Sequence, residues 1–530
     1  MSEEVVKDAY STDYVAGQDN IALMGLDLHK TVFFVTAFLV VFFVVGTLIF
    51  PELSSSLMSG AKSGAIANFD WLFLISANIF VIFVIALALM PVGKIRLGGQ
   101  DAKPEFSTPS WFAMLFAAGM GIGLMFWGVA EPVAYYTDWY GTPLNAEANT
   151  PQGADMALGA TMYHWGLHPW AIYAVVALSL AFFAFNKGMP LTLRSAFYPL
   201  FGERVWGWIG DVIDVVAVLA TIFGLATSLG LGAKQASAGL DFLFGIGSGI
   251  NVQIGVIVGV TAVAVISVIR GMDGGVKLLS NFNMVVAAVL LLFVIFAGPT
   301  MAIIEALWST TSTYVANIVP LSNPFGREDS TWFHGWTVFY WAWWISWSPF
   351  VGMFIARVSK GRTVREFITA VLIIPTVITI VWMSGFGGMA LEQVKNGVGV
   401  LGSEGLTDVS LAMFQAFENI ALSSIVSFVA IVLVLVFFIT SSDSGSLVID
   451  SITAGGKIEA PVAQRVFWAV MEGAIAAALI FGGGEQALNS LQAGAISTGL
   501  PFTLVLLVMC FGLFKGLSNE KQLIDAGLKT

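Results

Sequence analysis

The segment Ala117-Ala-Gly-Met-Gly-Ile-Gly-Leu-Met-Phe126 places glycines at 119, 121 and 123 inside an apolar stretch. Each glycine weakens a helix by about 1 kcal/mol relative to alanine. Glycines also serve close helix packing, but packing favours a spacing of four residues rather than alternation. Because irregular backbone at membrane depth survives only where it lines a cavity or is buried in protein, the motif predicts a broken helix. The carbonyl groups of Ala117 and Met120 could then bind a hard cation.

The composition is typical of a membrane protein. Of 530 residues, 57% are apolar and 11% charged, whereas a soluble domain carries about 25% charged residues. The net charge of −11 argues against nucleic-acid binding, and a single cysteine, Cys510, excludes an internal disulfide. The sequence has no phosphate-binding or dinucleotide-binding loop and no metal-ligand cluster. We therefore expect no enzyme and no cofactor, and we expect an ion gradient as the energy source.

Twelve segments reach the roughly 20 apolar residues that a bilayer-crossing helix needs. They are 31–51, 70–92, 111–137, 157–185, 208–238, 250–270, 280–305, 332–357, 364–386, 420–441, 462–483 and 490–514. Nearly all of the 23 Lys/Arg residues fall in alternate linkers, so the positive-inside rule predicts that both termini are cytoplasmic. We expect a multi-pass protein of the cell (inner) membrane that begins with a polar tail, 1–30.

The eighth segment contains five tryptophans in twelve positions, Trp336-Thr-Val-Phe-Tyr-Trp-Ala-Trp-Trp-Ile-Ser-Trp347. Indole faces attract quaternary ammonium groups through their quadrupoles, so the cluster predicts a cation cage. Pro349 removes a helix donor and predicts a second break near Ser346–Phe350. Transporters built from inverted five-helix repeats place two broken helices five spans apart around a midplane site, as the third and eighth segments are here.

The tenth segment ends in Phe437-Phe-Ile-Thr-Ser-Ser-Asp-Ser-Gly445. Thr440 and Ser441 could supply hydroxyl oxygens to a Na⁺ ion shared with the third segment, or these hydroxyls could bond to their own helix backbone. Asp443 is an ionisable group near the membrane interior, which predicts a functional role. Helix capping or pairing with an arginine is the alternative for Asp443.

The fourth segment carries aromatic residues around a proline, Trp165-Gly-Leu-His-Pro-Trp-Ala-Ile-Tyr173. Taken alone, such residues would most often form an interfacial belt. His164 and His168 are expected to be hydrogen-bonded structural residues, with a proton relay as the alternative. Glu131, unaccompanied by a nearby base, could line the substrate path or serve the structure.

Together these motifs resemble the betaine/choline/carnitine transporter family. The likeness runs from about 31 to 515, includes Thr221-Ile-Phe-Gly…Ser228-Leu-Gly-Leu-Gly, and is most specific at Trp343-Trp-Ile-Ser-Trp-Ser-Pro349. It implies an all-α integral membrane fold of twelve transmembrane helices, in which two extra helices precede a leucine-transporter-type core of two inverted five-helix repeats, and a homotrimer. The implied units are two peripheral helices (31–110), the first repeat (111–305), an external amphipathic linker (306–331), the second repeat (332–514) and a short cytoplasmic tail (515–530).

The resemblance also implies the site residues. A box around a trimethylammonium group would be formed by Trp165, Trp170, Tyr173 and Trp344. The rest of the substrate site or its path would comprise Trp347, Trp343, Met120, Gly121 and Gly123. One Na⁺ ion would take Ala117, Met120, Phe437, Thr440 and Ser441, and a second would take Thr221 and Phe350.

Three departures refine this expectation. Gly123 stands where proton-coupled choline carriers tend to have aspartate, which favours the sodium-coupled glycine betaine branch. Leu225 stands where a hydroxyl is expected one turn after Thr221, which weakens the second sodium site. The tail 515–530 is short, whereas osmotically gated relatives carry a long basic helix, so we expect weak or absent osmotic gating.

The expected function is Na⁺ symport of a small methylated zwitterionic osmolyte, such as glycine betaine or dimethylsulfoniopropionate, into the cell. A proton-coupled choline transporter and a Na⁺-independent betaine/carnitine exchanger remain as alternatives on the same fold. An organic-cation channel or receptor is the alternative of a different class.

Overall fold

The computed structural model describes residues 8–119, 121–270 and 275–528, and almost all of them are helical. In chain order the α-helices are α1 (Val32–Ile49), α2 (Pro51–Leu89), α3 (Thr108–Gly119), α4 (Ile122–Tyr136), α5 (Pro151–Trp165), α6 (Leu167–Phe185), α7 (Tyr198–Phe201), α8 (Trp208–Phe244), α9 (Ile250–Arg270), α10 (Gly275–Ala297), α11 (Thr300–Ser322), α12 (Ser330–Trp332), α13 (Val338–Val358), α14 (Val364–Lys395), α15 (Gly399–Glu404), α16 (Ala412–Phe417), α17 (Ser423–Thr453), α18 (Val462–Gly483) and α19 (Ala487–Asp525). The predicted all-α fold is confirmed.

Nine helical stretches of the described residues are long and apolar enough to cross a membrane. Two of the nine comprise two helices each: Pro151–Phe185 comprises α5 and α6, and Val462–Asp525 comprises α18 and α19. The third segment is not among them because it is divided into α3, of 12 residues, and α4, of 15. The count of twelve spans and the arrangement in two inverted repeats stay predictions.

The described residues before α1, from 8 onward, include a folded hairpin. Strand β1 (Asn20–Leu23) pairs antiparallel with β2 (Leu26–His29), with Asn20 opposite His29. This hairpin lies against the loop between α17 and α18, where Asn20 Nδ2 donates to the Ala454 carbonyl at 2.8 Å. The Gly17 amide donates to the Gly455 carbonyl at 2.9 Å in the same place. The polar start of the chain is thus attached to the helix bundle.

The predicted break in the third segment is present. Helix α3 ends at Gly119 and α4 begins at Ile122, and Gly121 between them has extended backbone with φ −172° and ψ −173°. Met120 lies outside the described residues. A second interruption, which the sequence analysis missed, separates α5 from α6 at Gly166. A Cβ atom there would lie 2.6 Å from the Tyr314 hydroxyl oxygen, so only glycine allows this approach.

The predicted break at Ser346–Phe350 is wrong, because α13 runs unbroken through Pro349 from Val338 to Val358. Proline leaves the carbonyl four residues earlier without its helical donor. Here that carbonyl belongs to Ile345, and the Ser348 hydroxyl donates to it at 2.7 Å. Satisfying the freed carbonyl in this way lets a membrane helix tolerate proline. The irregularity of this region is instead a π-helical turn, Phe333–Thr337, before α13.

The tenth segment also differs from the prediction, because α17 continues to Thr453 instead of ending near 441. Thr440, Ser441 and Asp443 therefore lie within a helix. Helix α19 likewise continues to Asp525, beyond the predicted end of the last span at 514. The predicted external linker, 306–331, is largely helical, since α11 extends to Ser322.

Helix α13 lies at the centre of the bundle. It packs against α6, α8 and α19, while α17 packs against α8. Its aromatic residues Tyr340, Trp341 and Trp343 are among the largest side chains that are fully buried. The tryptophan-rich segment therefore lies in the core, where it packs against helices that precede it in the chain, α6 and α8, and one that follows it, α19.

Candidate functional site

Four aromatic side chains from α5, α6 and α13 meet at the centre of the bundle, and they are the four that were predicted to form a box. The rings of Trp165 and Trp344 lie with centroids 4.8 Å apart at 73°. Tyr173 stands at 80° to Trp344 with centroids 6.3 Å apart, and Trp170 stands at 84° to Tyr173 at 5.5 Å. Edge-to-face contacts of this kind hold ring faces at fixed angles. We call Trp165, Trp170, Tyr173 and Trp344 the aromatic box.

A buried carboxylate fixes one wall of the box. Glu131 on α4 is 0% exposed. Its Oε2 accepts hydrogen bonds from Trp165 Nε1 at 2.7 Å and from the Tyr340 hydroxyl at 2.5 Å. Its Oε1 accepts from the Tyr135 hydroxyl at 2.7 Å and from His164 Nδ1 at 2.9 Å. The expectation that Glu131 has no nearby base is wrong, since His164 is a direct partner.

His164 connects this carboxylate to the second wall. Thr337 Oγ1 donates to His164 Nε2 at 2.9 Å, and Trp344 Nε1 donates to the His164 carbonyl at 2.8 Å. Both ring nitrogens are therefore hydrogen-bonded, as expected for a structural histidine. His168 differs, because only one of its ring nitrogens is bonded: Nε2 donates to Asn78 Oδ1 at 3.1 Å, whereas the buried Nδ1 has no partner among the described residues. Its ring stacks on that of Trp341 with centroids 5.2 Å apart. The sequence analysis missed this network, although Tyr135 one helical turn after Glu131 was a local sign of it.

Gly123 is in tight contact with the aromatic residues. A Cβ atom at Gly123 would lie 2.7 Å from Cη2 of Trp165 and 2.9 Å from Cη2 of Trp343. At Gly121 the nearest atom, Cη2 of Trp347, would be 3.9 Å away, which is ordinary contact. A side chain at position 123 therefore has to displace an indole ring, whereas position 121 has room for a methyl group.

Trp343 and Trp347 differ in their surroundings. Trp343 is 1% exposed and stacks on Trp344 at 4.7 Å and on Phe339 at 5.4 Å. Its Nε1 donates to Ser228 Oγ at 3.0 Å, so it lies behind the box. Trp347 Nε1 donates to the Gly224 carbonyl at 3.0 Å, and its ring lines a cavity beside the box.

This cavity has a volume of about 430 Å³ and extends from Trp347 to Glu105 and Arg357 at the helix ends. The described residues that were predicted to hold the first Na⁺ ion all line it, namely Ala117, Phe437, Thr440 and Ser441. Thr440 Oγ1 donates to the Val436 carbonyl at 3.0 Å, and the hydroxyl oxygen keeps lone pairs for a cation. The described residues contain no group of three or more His, Cys, Asp or Glu that could hold a metal ion. The predicted ligands that line the cavity would offer neutral carbonyl and hydroxyl oxygens.

The two residues predicted for a second Na⁺ ion are placed differently. Phe350 lines the same cavity, with its ring 5.4 Å from that of Trp347. Thr221 is fully buried on α8, and its hydroxyl donates to the Ala217 carbonyl at 2.7 Å. Leu225, one turn later, lies against Gly445 of α17. The second sodium site stays a prediction.

The chain matches the family model described as BCCT, betaine/carnitine/choline family transporter, over residues 31–522. It is 64% identical to glycine betaine transporter 1 of Vibrio parahaemolyticus, covering 97% of this chain and 98% of that protein. A glycine betaine/proline/choline/ectoine transporter of the same organism is 61% identical, with 96% and 91% covered. The glycine betaine transporter OpuD of Bacillus subtilis is 42% identical, with 94% and 96% covered.

Among solved structures, a mutant manganese transporter of Eremococcus coleocola covers 81% of this chain and 90% of its own at 13% identity and a TM-score of 0.44. That likeness is too distant to support a detailed comparison. The family match and the relatives extend over almost the whole chain. The chain therefore belongs to the betaine/carnitine/choline transporter family and is a membrane transporter rather than an enzyme, as its motifs predicted.

Proposed function

We propose that this transporter imports a small methylated zwitterion, glycine betaine foremost, together with Na⁺. The observation that carries the proposal is the aromatic box, in which ring faces from α5, α6 and α13 meet at fixed angles in the core. Aromatic faces attract a quaternary ammonium group that has no hydrogen to donate, and this attraction is worth about 2 kcal/mol when the site is desolvated. The relatives named as glycine betaine transporters support the same substrate class.

The charges near the box favour a zwitterion over a simple cation. Glu131 is a carboxylate that is hydrogen-bonded directly to the box, through Trp165 Nε1. Its two oxygens already accept four hydrogen bonds. Gly123 adds no carboxylate and has no room for one. A substrate that carries its own carboxylate balances its charge without help from the protein. Dimethylsulfoniopropionate satisfies the same condition, because cation–π attraction depends on diffuse charge rather than on the element.

The cavity supports the proposed sodium coupling. Trp347 of α13 and the four described Na⁺-ligand candidates of α3 and α17 line one space, so a cation there would lie beside the helix that also carries Trp344 of the box. A cation that favours the arrangement of α3 and α17 required by the substrate raises substrate affinity, and the substrate raises cation affinity by the same factor. A homotrimer in the cell (inner) membrane with both termini in the cytoplasm completes the proposal.

The decisive experiment is uptake of radiolabelled glycine betaine into proteoliposomes that contain the purified protein. We expect saturable accumulation against a gradient when Na⁺ is outside and little uptake when K⁺ replaces Na⁺ on both sides. Undiminished uptake in K⁺ would favour the proton-coupled or ion-independent carrier instead. Equilibration without accumulation would indicate a channel. Competition by dimethylsulfoniopropionate, choline and carnitine ranks the substrates.

A further inference from the structure

Glu472 is a carboxyl group buried in the middle of α18. It is 0% exposed, and neither of its oxygens has a hydrogen-bond partner among the described residues. It stands ten residues after the start of α18 at Val462 and eleven before its end at Gly483. At 1.5 Å per residue it is about 15 Å from either end of the helix. The aromatic box and the cation candidates do not include it.

The carboxyl group points at α17, where a glycine makes room for it. A Cβ atom at Gly445 would lie 3.2 Å from Glu472 Oε1, and the side chain of Leu225 from α8 lies against the same glycine. Ser442 on α17 is the hydroxyl that faces Glu472, and its Oγ is also buried without a partner. The surroundings of the carboxyl group are thus a glycine, a leucine and one hydroxyl.

No cation among the described residues neutralises Glu472. The base on its own helix, Arg465, lies two turns away with its Nε 3.8 Å from Asp450 Oδ2. Asp443 is the charged group that faces Glu472 from α17, and its charge has the same sign. Helix α1 has no charged residue. The helices α2, α8, α9 and α19 also pack against α18. Their charged residues are Glu52, Lys62, Asp70, Asp211, Asp214, Lys234, Asp241, Arg270, Lys515, Glu520, Lys521 and Asp525.

An ionised carboxylate in such surroundings is costly, because no counter-ion and at most one donor, the Ser442 hydroxyl, compensate for the desolvation of the charge. A neutral carboxylic acid is far less costly to bury. A divalent metal ion is a poor alternative, since Ca²⁺ and Mg²⁺ take about six or more oxygen ligands. We propose that Glu472 is a proton-binding site inside the membrane-spanning region and that it holds its proton, as a neutral carboxylic acid, in the arrangement described here.

The cavity and Glu472 contact neighbouring residues of α17. Ser444 lines the cavity of about 430 Å³, and the next residue, Gly445, is the one that Glu472 contacts. A single helix, α17, therefore separates the carboxyl group from the cavity. The same helix also carries Thr440 and Ser441.

Infrared difference spectroscopy tests the inference on the full-length protein in liposomes. We expect a carbonyl stretch of a protonated carboxylic acid in the wild type that shifts in D2O and is missing from the Glu472→Gln variant. The matched control is Glu520→Gln. Glu520 is also 0% exposed, but its Oε2 lies 2.7 Å from Lys187 Nζ, so its loss should leave the acid band unchanged.

A wild type without such a band, or a band that persists in Glu472→Gln, would overturn the inference. If Glu472→Gln does not fold, Glu472→Asp is the second test. Replacing the glutamic acid by aspartic acid should change the frequency of the carbonyl band, and an unchanged frequency would contradict the assignment of the band to Glu472. The measurement does not depend on transport, so it stands or fails separately from glycine betaine uptake and its Na⁺ dependence.

Discussion

Trp165 Nε1 donates a hydrogen bond of 2.7 Å to Glu131 Oε2, which joins a wall of the aromatic box to a carboxylate on the broken third segment. The ring face that would contact a substrate is therefore held from behind by a charged acceptor. Hydrogen bonds to charged groups contribute about 1.5–3 kcal/mol each. A residue that never contacts the substrate can thus control how well the box is formed.

Glu131→Gln should weaken glycine betaine binding by roughly 10- to 100-fold, because the amide retains the size but loses the charge that orients Trp165. Tryptophan fluorescence titration measures the change. Glu203→Gln is the matched control, since Glu203 also accepts a tyrosine hydroxyl, that of Tyr198 at 2.6 Å, but at a distant loop. Equal affinity in the wild type and in Glu131→Gln would show that the carboxylate only stabilises the fold.

Trp344→Leu should reduce affinity at least about tenfold, because it removes the indole face that meets Trp165 and Tyr173. Trp344→Phe keeps an aromatic face and should lose less. Isothermal titration calorimetry with glycine betaine separates the two variants. If both variants bind glycine betaine as tightly as the wild type does, Trp344 serves packing alone.

Gly123→Ala should impair binding, since its Cβ would overlap the rings of Trp165 and Trp343. Overpacking of this kind costs about 1–3 kcal/mol. Gly121→Ala is the control with the same chemical change, because its Cβ would make only ordinary contact with Trp347. Uptake assays on the two variants should differ clearly, and equal uptake would contradict the contact at position 123.

Thr440→Val should raise the Na⁺ concentration needed for half-maximal binding by roughly fivefold, as expected for the loss of about 1 kcal/mol from one oxygen ligand. Thr503→Val is the comparison variant, since the Thr503 hydroxyl also donates to its own helix, at 2.8 Å to the Gly499 carbonyl, but does not line the cavity. Sodium titrations of substrate binding decide the question. An unchanged Na⁺ requirement in Thr440→Val would remove this hydroxyl from the site.

His29 gives the amino-terminal hairpin a pH dependence. Burial, and then the charge of Arg194, lower the pKa of His29 from 6.5 to about 4. Its Nδ1 accepts from the Val32 amide at 3.3 Å, which requires the neutral ring. The docked hairpin favours unprotonated His29, so this contribution is complete above pH 6.5 and is lost as the pH falls towards 4. Hydrogen exchange of residues 20–29, corrected for intrinsic rates, should accelerate over that range and should not do so in His29→Asn.

The sequence was informative wherever a local pattern decides the backbone. Alternating glycines predicted the interruption between α3 and α4 because three of them within five residues leave no stable helix. Pro349 was misleading, since the Ser348 hydroxyl satisfies the carbonyl that proline frees. Gly166 was missed because a single glycine breaks a helix only when a neighbour such as Tyr314 requires the space.

Side-chain networks were beyond prediction for a different reason. The partners of Glu131 include Trp165 and Tyr340, which are 34 and 209 residues away in the chain. Their proximity depends on how α4, α5 and α13 pack, and helix periodicity does not contain that information. The members of the box were predicted from the family resemblance, whereas the hydrogen bonds that hold them in place were visible only in the structure.

The continuity of α13 through Pro349 bears on how the transporter would work. A helix without an interruption is stiff, whereas we expect the two interruptions, at Gly121 between α3 and α4 and at Gly166 between α5 and α6, to act as hinges. We therefore expect α13 to keep its shape and position during transport, while the interrupted helices α3–α4 and α5–α6 move relative to it. Distance labels on α13 and α4 should change their separation when substrate is added, while two labels on α13 should not.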